Sequence, residues 1–248
     1  MTAPALVLLH AFPVDARMWN GVRAQLTTRT RLITPDQRGL GRTPLPETER
    51  EPNLADAARD VVALLDKLEM DRVLLGGCSM GGYVAMSVLR EAPERVAGLV
   101  LIDTKASADT EEARANRLAM ADRVQADGAG GWLADAMLPA LLGATSHQQR
   151  PEVVATVREL IEAQQPSGVA WAQRAMAARP DAIEALRGVE VPALVVLGEE
   201  DDLTPRAEAD KMVDALPNGT LSVLPGAGHL TALEDPEALG KTILDWLP

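Results

Sequence analysis

The stretch Arg72-Val73-Leu74-Leu75-Gly76-Gly77-Cys78-Ser79-Met80-Gly81-Gly82 decides how this chain folds. Its first half is an apolar run ending in glycine, which reads as a strand, Arg72 to Gly76, covered on both faces. The spacing from Met80 to Glu91 reads as a helix. Between the two, Gly77, Cys78, Ser79, Met80 and Gly81 spell G-x-S-x-G. A strand that must reverse sharply into a helix forces the corner residue into a strained conformation, and side chains on either side would collide, hence the glycines. The corner hydroxyl then faces solvent, with the free N–H groups and positive end of the helix dipole aimed at it. The stretch lacks the lysine of a phosphate-binding loop, and Cys78 stands where a dinucleotide fingerprint starting at Gly76 would need glycine.

Outward from this turn, short apolar runs alternate with stretches of helical period, the pattern of crossover units feeding a parallel sheet. Six strands are expected: Ala5 to Leu9, Arg31 to Thr34, Arg72 to Gly76, Val96 to Ile102, Ala193 to Leu197 and Thr220 to Leu224. Leu54, Ala57, Ala58, Val61, Leu64, Leu65 and Leu68 predict a helix capped by Asn53 and running to about Glu69. Pro205 to Ala215 and Pro236 to Trp246 read as helices with proline in the first position. The interval from Asp103 to Pro192 is too long for one crossover. Its breaks at Gly128 to Gly131, Gly143 to Ser146, Gln165 to Gly168 and Pro180 predict about four short helices. The expected fold class is therefore α/β: a predominantly parallel sheet with helices on both faces, and a helical cap inserted before the acid-bearing strand. Residues 1–103 and 192–248 would form the core and 104–191 the cap.

At 248 residues, with 47% hydrophobic and 24% charged, the chain is long enough for one large domain with a substantial core. A net charge of −12 and the lack of a basic block argue against a nucleic-acid partner. The single cysteine, Cys78, forms neither an internal disulfide nor a thiolate zinc cluster, which makes the cytoplasm the expected compartment. Ala5 to Leu9 lacks the basic flank and length of an export signal, and Val96 to Ile102 is far too short to cross a bilayer, so no membrane association is expected.

A serine hydroxyl needs a base, and three histidines are present. His10 ends the first strand, His147 lies in the insertion, and His229 sits in the Gly-rich loop after the last strand. Active groups gather beyond the carboxyl ends of parallel strands, which favours His10 and His229; the mobility of a Gly-rich loop favours His229. His147 is expected on the cap surface. The base needs a carboxylate, and Asp201 and Asp103 both end strands in the chain order Ser, Asp, His. Asp201 is preferred because its acidic turn leads through Pro205 into a helix. Asp103 is expected to cap the entry to the insertion, and Asp202 stands one residue too far along.

These motifs in this order resemble the α/β-hydrolase family over nearly the whole chain except the cap. His10, Ala11, Phe12 and Pro13 resemble its H-G-x-P oxyanion loop, and Asp36 to Gly41 its D-x-R-G-x-G loop. Gly77 to Gly81 match its nucleophile elbow, Gly198 to Asp201 its G-x-x-D acid turn, and Gly228 with His229 its G-H base loop. The resemblance implies that the backbone N–H groups of Phe12 and Met80 form an oxyanion hole. Ala11 replaces the family's usual glycine and would be strained if that position required a positive φ. The first strand aligns with the family's third, so its opening hairpin is not expected.

Cys78 should turn inward as a small buried hydrophobe, Trp19 should pack the oxyanion loop, and Arg38 and Arg42 should form loop ion pairs, for instance with Asp36. In the cap, Met120, Trp132, Met137, Leu138, Leu141, Leu142, Trp171 and Met176 could line a pocket, though most should only pack the helices together; Trp132, Met137, Leu138, Leu141 and Trp171 are the candidates for the lining. The chain is thus expected to be a serine hydrolase, a carboxylesterase cleaving small carboxylic esters through an acyl-enzyme, with no metal or organic cofactor. The alternatives are a lactonase, such as an enol-lactonase, or a non-catalytic small-molecule receptor. A carboxylate-bearing lactone would call for a cation near Ser79, and Arg114, Arg117, Arg123, Arg174 and Arg179 are available in the cap.

Overall fold

Apolar runs without a polar face need cover on both sides. The computed structural model, which describes residues 4–47 and 50–247, places them all in one sheet. The strands are β1 (Leu6–Leu9), β2 (Leu32–Ile33), β3 (Val73–Cys78), β4 (Val96–Ile102), β5 (Ala193–Gly198) and β6 (Gly219–Leu224). Their order is β2-β1-β3-β4-β5-β6, and every neighbouring pair is parallel. Every residue of β1, β3 and β5 is buried, as is nearly all of β4, whereas the edge strands β2 and β6 are largely half-buried. Residues 1–3, 48–49 and 248 of the expected core lie outside the described residues.

All six expected strands are present, β4 with the expected bounds and the others with shifted ends. β3 runs two residues beyond Gly76 because its ladder with β4 continues through Gly77 opposite Leu101 and Cys78 opposite Ile102. β2 shrinks to two residues, since it pairs only with β1 at the sheet edge.

The helices are α1 (Asn20–Leu26), α2 (Leu54–Lys67), α3 (Met80–Glu91), α4 (Glu111–Asp127), α5 (Gly130–Leu141), α6 (Ala144–Gln149), α7 (Pro151–Glu162), α8 (Pro166–Ala177), α9 (Ile183–Arg187), α10 (Arg206–Ala215), α11 (Thr231–Glu234) and α12 (Pro236–Trp246). The Asn53 side chain accepts a hydrogen bond from the Ala55 N–H at 2.9 Å and caps α2 as its sequence position predicts. Pro236 begins α12, but Pro205 is extended and forms the N-cap of α10, one position earlier than expected. No sequence signal marks α1, α6, α9 or α11, because seven residues or fewer carry too few turns to show a period. On the sheet α3 packs on β1, β3 and β4, α10 on β5 and β6 and α12 on β6, while α2 and α9 lie against α3 and α1 against α12.

Six helices, rather than about four, lie between β4 and β5. Within this insertion α4 packs on α8 and α5 on α7, while α9 packs on α3 and α10. The insertion is fastened to the loops of the core by specific contacts. The amide nitrogen of Gln164, after α7, donates to Asp15 at 3.0 Å, and its oxygen accepts from the Gly41 N–H at 2.8 Å. Beside it, Gly39 and Gly168 meet backbone to backbone: a Cβ on Gly168 would lie 1.6 Å from the Gly39 carbonyl oxygen. Among the described residues, no helix is long and apolar enough to cross a membrane.

The Gly39–Gly168 contact leaves no room for a methyl group. Gly168→Ala should cost roughly 1–3 kcal/mol through overpacking, lowering the melting temperature by about 2–12 °C on calorimetry of a chain this size. An unchanged melt would show that α8 does not rest on this loop.

Candidate active site

A single residue separates β3 from α3, and it is Ser79. With φ 51° and ψ −114°, Ser79 lies in a region that L-residues seldom occupy, a conformation costing on the order of 1–3 kcal/mol. It persists because its surroundings over-determine it. The Ser79 N–H donates to the Ile102 carbonyl at 2.9 Å, and its own carbonyl accepts from Gly82 N–H at 2.9 Å and Thr104 Oγ1 at 2.8 Å. The flanking glycines are sterically required: a Cβ on Gly77 would lie 2.1 Å from the Gly81 carbonyl carbon, and one on Gly81 would lie 2.2 Å from the Leu9 carbonyl oxygen. The turn is therefore pressed onto the end of β1, next to the point where strand order reverses between β1 and β3.

The loop after β6 brings His229 Nε2 to 2.8 Å from Ser79 Oγ, and the turn after β5 brings Asp201 Oδ2 to 2.8 Å from His229 Nδ1. Because the carboxylate accepts from Nδ1–H, Nε2 is bare and accepts from the serine hydroxyl. Asp201 is itself held, its Oδ1 accepting from the N–H groups of Leu203 at 2.9 Å and Thr204 at 3.0 Å. Ser79, His229 and Asp201 are 9%, 3% and 6% exposed, so the chain of hydrogen bonds runs largely out of bulk water. Burial works against the imidazolium. The charge and hydrogen bond of Asp201 outweigh it, with Asp103 and Glu234 adding, and the His229 pKa rises above its ordinary value. Burial likewise pushes the Asp201 carboxyl up, but His229 and the bonds from His229 and Thr204 bring it below the usual carboxylate range.

Asp103 does not serve as a cap for the insertion. Fully buried, with φ 44°, it accepts from the Gly198 N–H at 2.8 Å and from the Thr231 hydroxyl at 2.6 Å and N–H at 3.2 Å. It thus ties the end of β5 to the residue two positions beyond the imidazole. Burial, with the nearby Asp201 charge, pushes its carboxyl up to about 8. Asp202 and His147 are exposed. His10 is fully buried and pinned, Nε2 accepting from the Gln37 N–H at 2.9 Å and Nδ1–H donating to the Ala11 carbonyl at 2.8 Å; burial lowers its pKa. Cys78 points inward, and burial pushes its thiol well up.

Met80 is the first residue of α3, so its N–H is among those that a helix leaves without an intrahelical acceptor. Phe12 lies three residues beyond the end of β1 and is buried. Ala11 is not among the positive-φ residues, which removes the strain that alanine would otherwise bring. Its N–H donates to Met18 Sδ at 3.1 Å, from the short turn in which Trp19 is fully buried.

The five candidate pocket residues are distributed over α5 and α8. Trp132 is engaged at the α4–α5 junction, its Nε1 donating to the Gly128 carbonyl at 2.9 Å and the Arg123 guanidinium lying 3.8 Å over its ring. Leu138 and Leu141 are buried and Met137 is half-buried. Trp171 is buried beneath Arg38, 5.2 Å from its ring centre. Arg38 pairs with Asp60 at 2.6 Å and not with Asp36, which instead pairs with Arg42 at 3.3 Å. Four of the five candidate arginines are committed to carboxylates of the insertion: Arg117 and Arg179 to Asp109 at 2.6 and 2.7 Å, Arg174 to Asp122 at 2.7 Å and Arg123 to Asp127 at 3.7 Å, while Arg114 is exposed. Among the described residues, no group of three or more His, Cys, Asp or Glu is placed to hold a metal ion.

The sequence reading missed Thr104, which donates to the Ser79 carbonyl, Thr231, which donates to Asp103, and Glu234, which accepts from the N–H groups of Gly228 and Leu230. A lone threonine or glutamate carries no motif, and the short helix that ends in Glu234 has no period to betray it.

The family model described as "Alpha/beta hydrolase family" matches residues 6–241. A thermophilic esterase from Thermogutta terrifontis is 37% identical and superposes with a TM-score of 0.95, covering 99% of this chain and 90% of that one. The enol-lactonase from Burkholderia xenovorans is 28% identical with a TM-score of 0.90, covering 100% and 92%. The 2-(acetamidomethylene)succinate hydrolase of Mesorhizobium japonicum is 30% identical over 258 residues, 99% of this chain and 88% of its own. The chain belongs to the alpha/beta hydrolase family.

Proposed function

We propose that this protein is a serine-dependent hydrolase of small carboxylic esters, and the observation that carries the reading is the buried hydrogen-bond chain from Ser79 Oγ through both nitrogens of His229 to Asp201. Ser79 Oγ attacks the ester carbonyl carbon as His229 Nε2 takes its proton, and Asp201 holds the ring and stabilises the imidazolium that forms. The carbonyl oxygen, now negative, is received by the backbone N–H groups of Phe12 and Met80, the latter helped by the N-terminal dipole of α3. The C–O bond breaks, His229 returns its proton to the departing alcohol, and an acyl-Ser79 remains. Water, deprotonated by His229, then releases the acid and restores the serine. Of the helices between residues 104 and 191, α4 to α8 act as a cap over a core of residues 1–103 and 192–248, on which α9 packs, and α5 and α8 supply the pocket wall.

A lactone is an ester whose alcohol stays tethered, so the same steps would open one, as the likeness to an enol-lactonase suggests. The pairing of the cap arginines with their own carboxylates favours uncharged esters over carboxylate-bearing lactones. A receptor built on this fold would have no use for a base-activated serine.

With a chromogenic short-chain ester, Ser79→Ala should lower kcat by roughly 10⁴-fold or more, and a phosphonate probe that adds to the wild type, detected by intact mass, should leave the variant unlabelled. Undiminished turnover by the purified variant overturns the assignment.

Only the neutral ring is a base, so kcat/KM should fall as pH drops through the His229 titration. Because Asp201 raises that pKa, the midpoint should lie above the ordinary imidazole value of about 6.5. Asp201→Asn removes the stabilising charge, so the midpoint should move to lower pH while kcat falls by roughly 10⁴-fold. A midpoint that stays in place in this variant would mean that Asp201 does not govern the ring.

A further inference from the structure

Glu234 is 4% exposed, and its carboxylate accepts four hydrogen bonds. Oε1 takes the N–H of Gly228 at 2.9 Å and the N–H of Leu230 at 3.1 Å, the two residues on either side of His229. Oε2 takes the N–H of Gly143 at 2.8 Å and the hydroxyl of Ser146 at 2.7 Å, at the junction between α5 and α6. One oxygen thus fixes the backbone that carries the imidazole, and the other fixes the insertion above it. Glu200 makes a useful contrast. It grips the same junction, through the Thr145 N–H at 2.8 Å and hydroxyl at 2.6 Å, but its side chain takes no hydrogen bond from the loop of His229.

From this geometry we propose that Glu234 is a positioning residue for His229, setting the base loop and the seat of the cap with one buried carboxylate. The proposal rests on the reading of Ser79 and His229 as nucleophile and base. Two amides converging on a single anionic oxygen hold the residues on either side of His229, and charge-assisted bonds of this kind are about twice as strong as neutral ones. The Glu234 charge also faces the imidazole, together with Asp201 from the turn after β5 and Asp103 from the end of β4. Cys78 Sγ lies 3.6 Å from the His229 carbonyl oxygen, and from the cap Arg150 reaches the Gly226 carbonyl at 3.1 Å and Ser146 Oγ at 3.3 Å. Replacing Glu234 with glutamine removes a negative charge from this set and presents the two amides with a side chain that is half donor. The base should then sit less accurately and titrate at lower pH. A residue that merely supported folding would not move the titration.

The test is ester turnover across pH by the wild-type chain, Glu234→Gln and Glu200→Gln, with circular dichroism to confirm folding and Ser79→Ala in the same series. Glu234→Gln should lower kcat by roughly 30- to 100-fold, the scale of a misplaced catalytic group, and move the acid-limb midpoint down. Glu200→Gln should leave kcat within about twofold and the midpoint in place. A folded Glu234→Gln with wild-type kcat and midpoint overturns the proposal, and so does a Glu200→Gln that matches Glu234→Gln in both. If Glu234→Gln is not recovered folded, Glu234→Asp carries the test: it keeps the charge but shortens the reach, so the midpoint should hold while kcat drops, and an undiminished kcat overturns the proposal. Activity surviving in Ser79→Ala would instead defeat the triad reading itself, whereas a dead Ser79→Ala beside an unaffected Glu234→Gln defeats the positioning role alone.

Discussion

The structure depends on one residue being held where its backbone would not rest. Ser79 takes a positive φ between a strand and a helix that are both central to the fold. That conformation is kept by a bond to the end of β4, a bond from Thr104 and the close approach of Gly81 to the end of β1. Strain of this size is small beside the burial of β1, β3, β4 and β5, so the core can sustain it. What it achieves is placement: the hydroxyl stands at the carboxyl edge of the sheet, where loops from β1, β5 and β6 can converge on it.

Those loops are ordered by buried carboxylates as much as by apolar packing. Asp201 meets the imidazole, Asp103 joins the end of β5 to Thr231, and Glu234 holds both neighbours of His229. Each is nearly or fully buried, and each is satisfied by backbone N–H groups or by neighbouring hydroxyl or imidazole groups. Buried charge is costly unless it is hydrogen-bonded in this way, and once it is, the geometry it imposes is stiff. The Asp201 charge beside the imidazole also favours the protonated ring, the state that the proposed mechanism forms when the serine gives up its proton.

The insertion is attached by similar means. Gln164 bridges to Asp15 and Gly41, Gly168 rests on Gly39, and Glu200 and Glu234 reach from the acid and base loops to the α5–α6 junction. The insertion thus touches the loops that carry the site, while its Arg117, Arg123, Arg174 and Arg179 are spent on its own acidic residues and on the rings of Trp132 and Tyr83.

The strands, the capped helix α2 and the elbow were legible in the sequence because each is local chemistry: a run of apolar residues, an asparagine before a helical period, glycines flanking a serine at a tight turn. That His229, a histidine in a Gly-rich loop after the last strand, would come to lie beside Ser79 was legible from the gathering of loops beyond the carboxyl ends of parallel strands. Tertiary structure alone decided that Asp201 meets the ring while Asp103 turns to Gly198 and Thr231, that Arg38 finds Asp60, and that Glu234 reaches back across the base loop. Those outcomes depend on where distant loops lie in space once the sheet has formed. A carboxylate's partner is chosen by distance and by the cost of leaving a buried charge unsatisfied, neither of which is written in the order of residues.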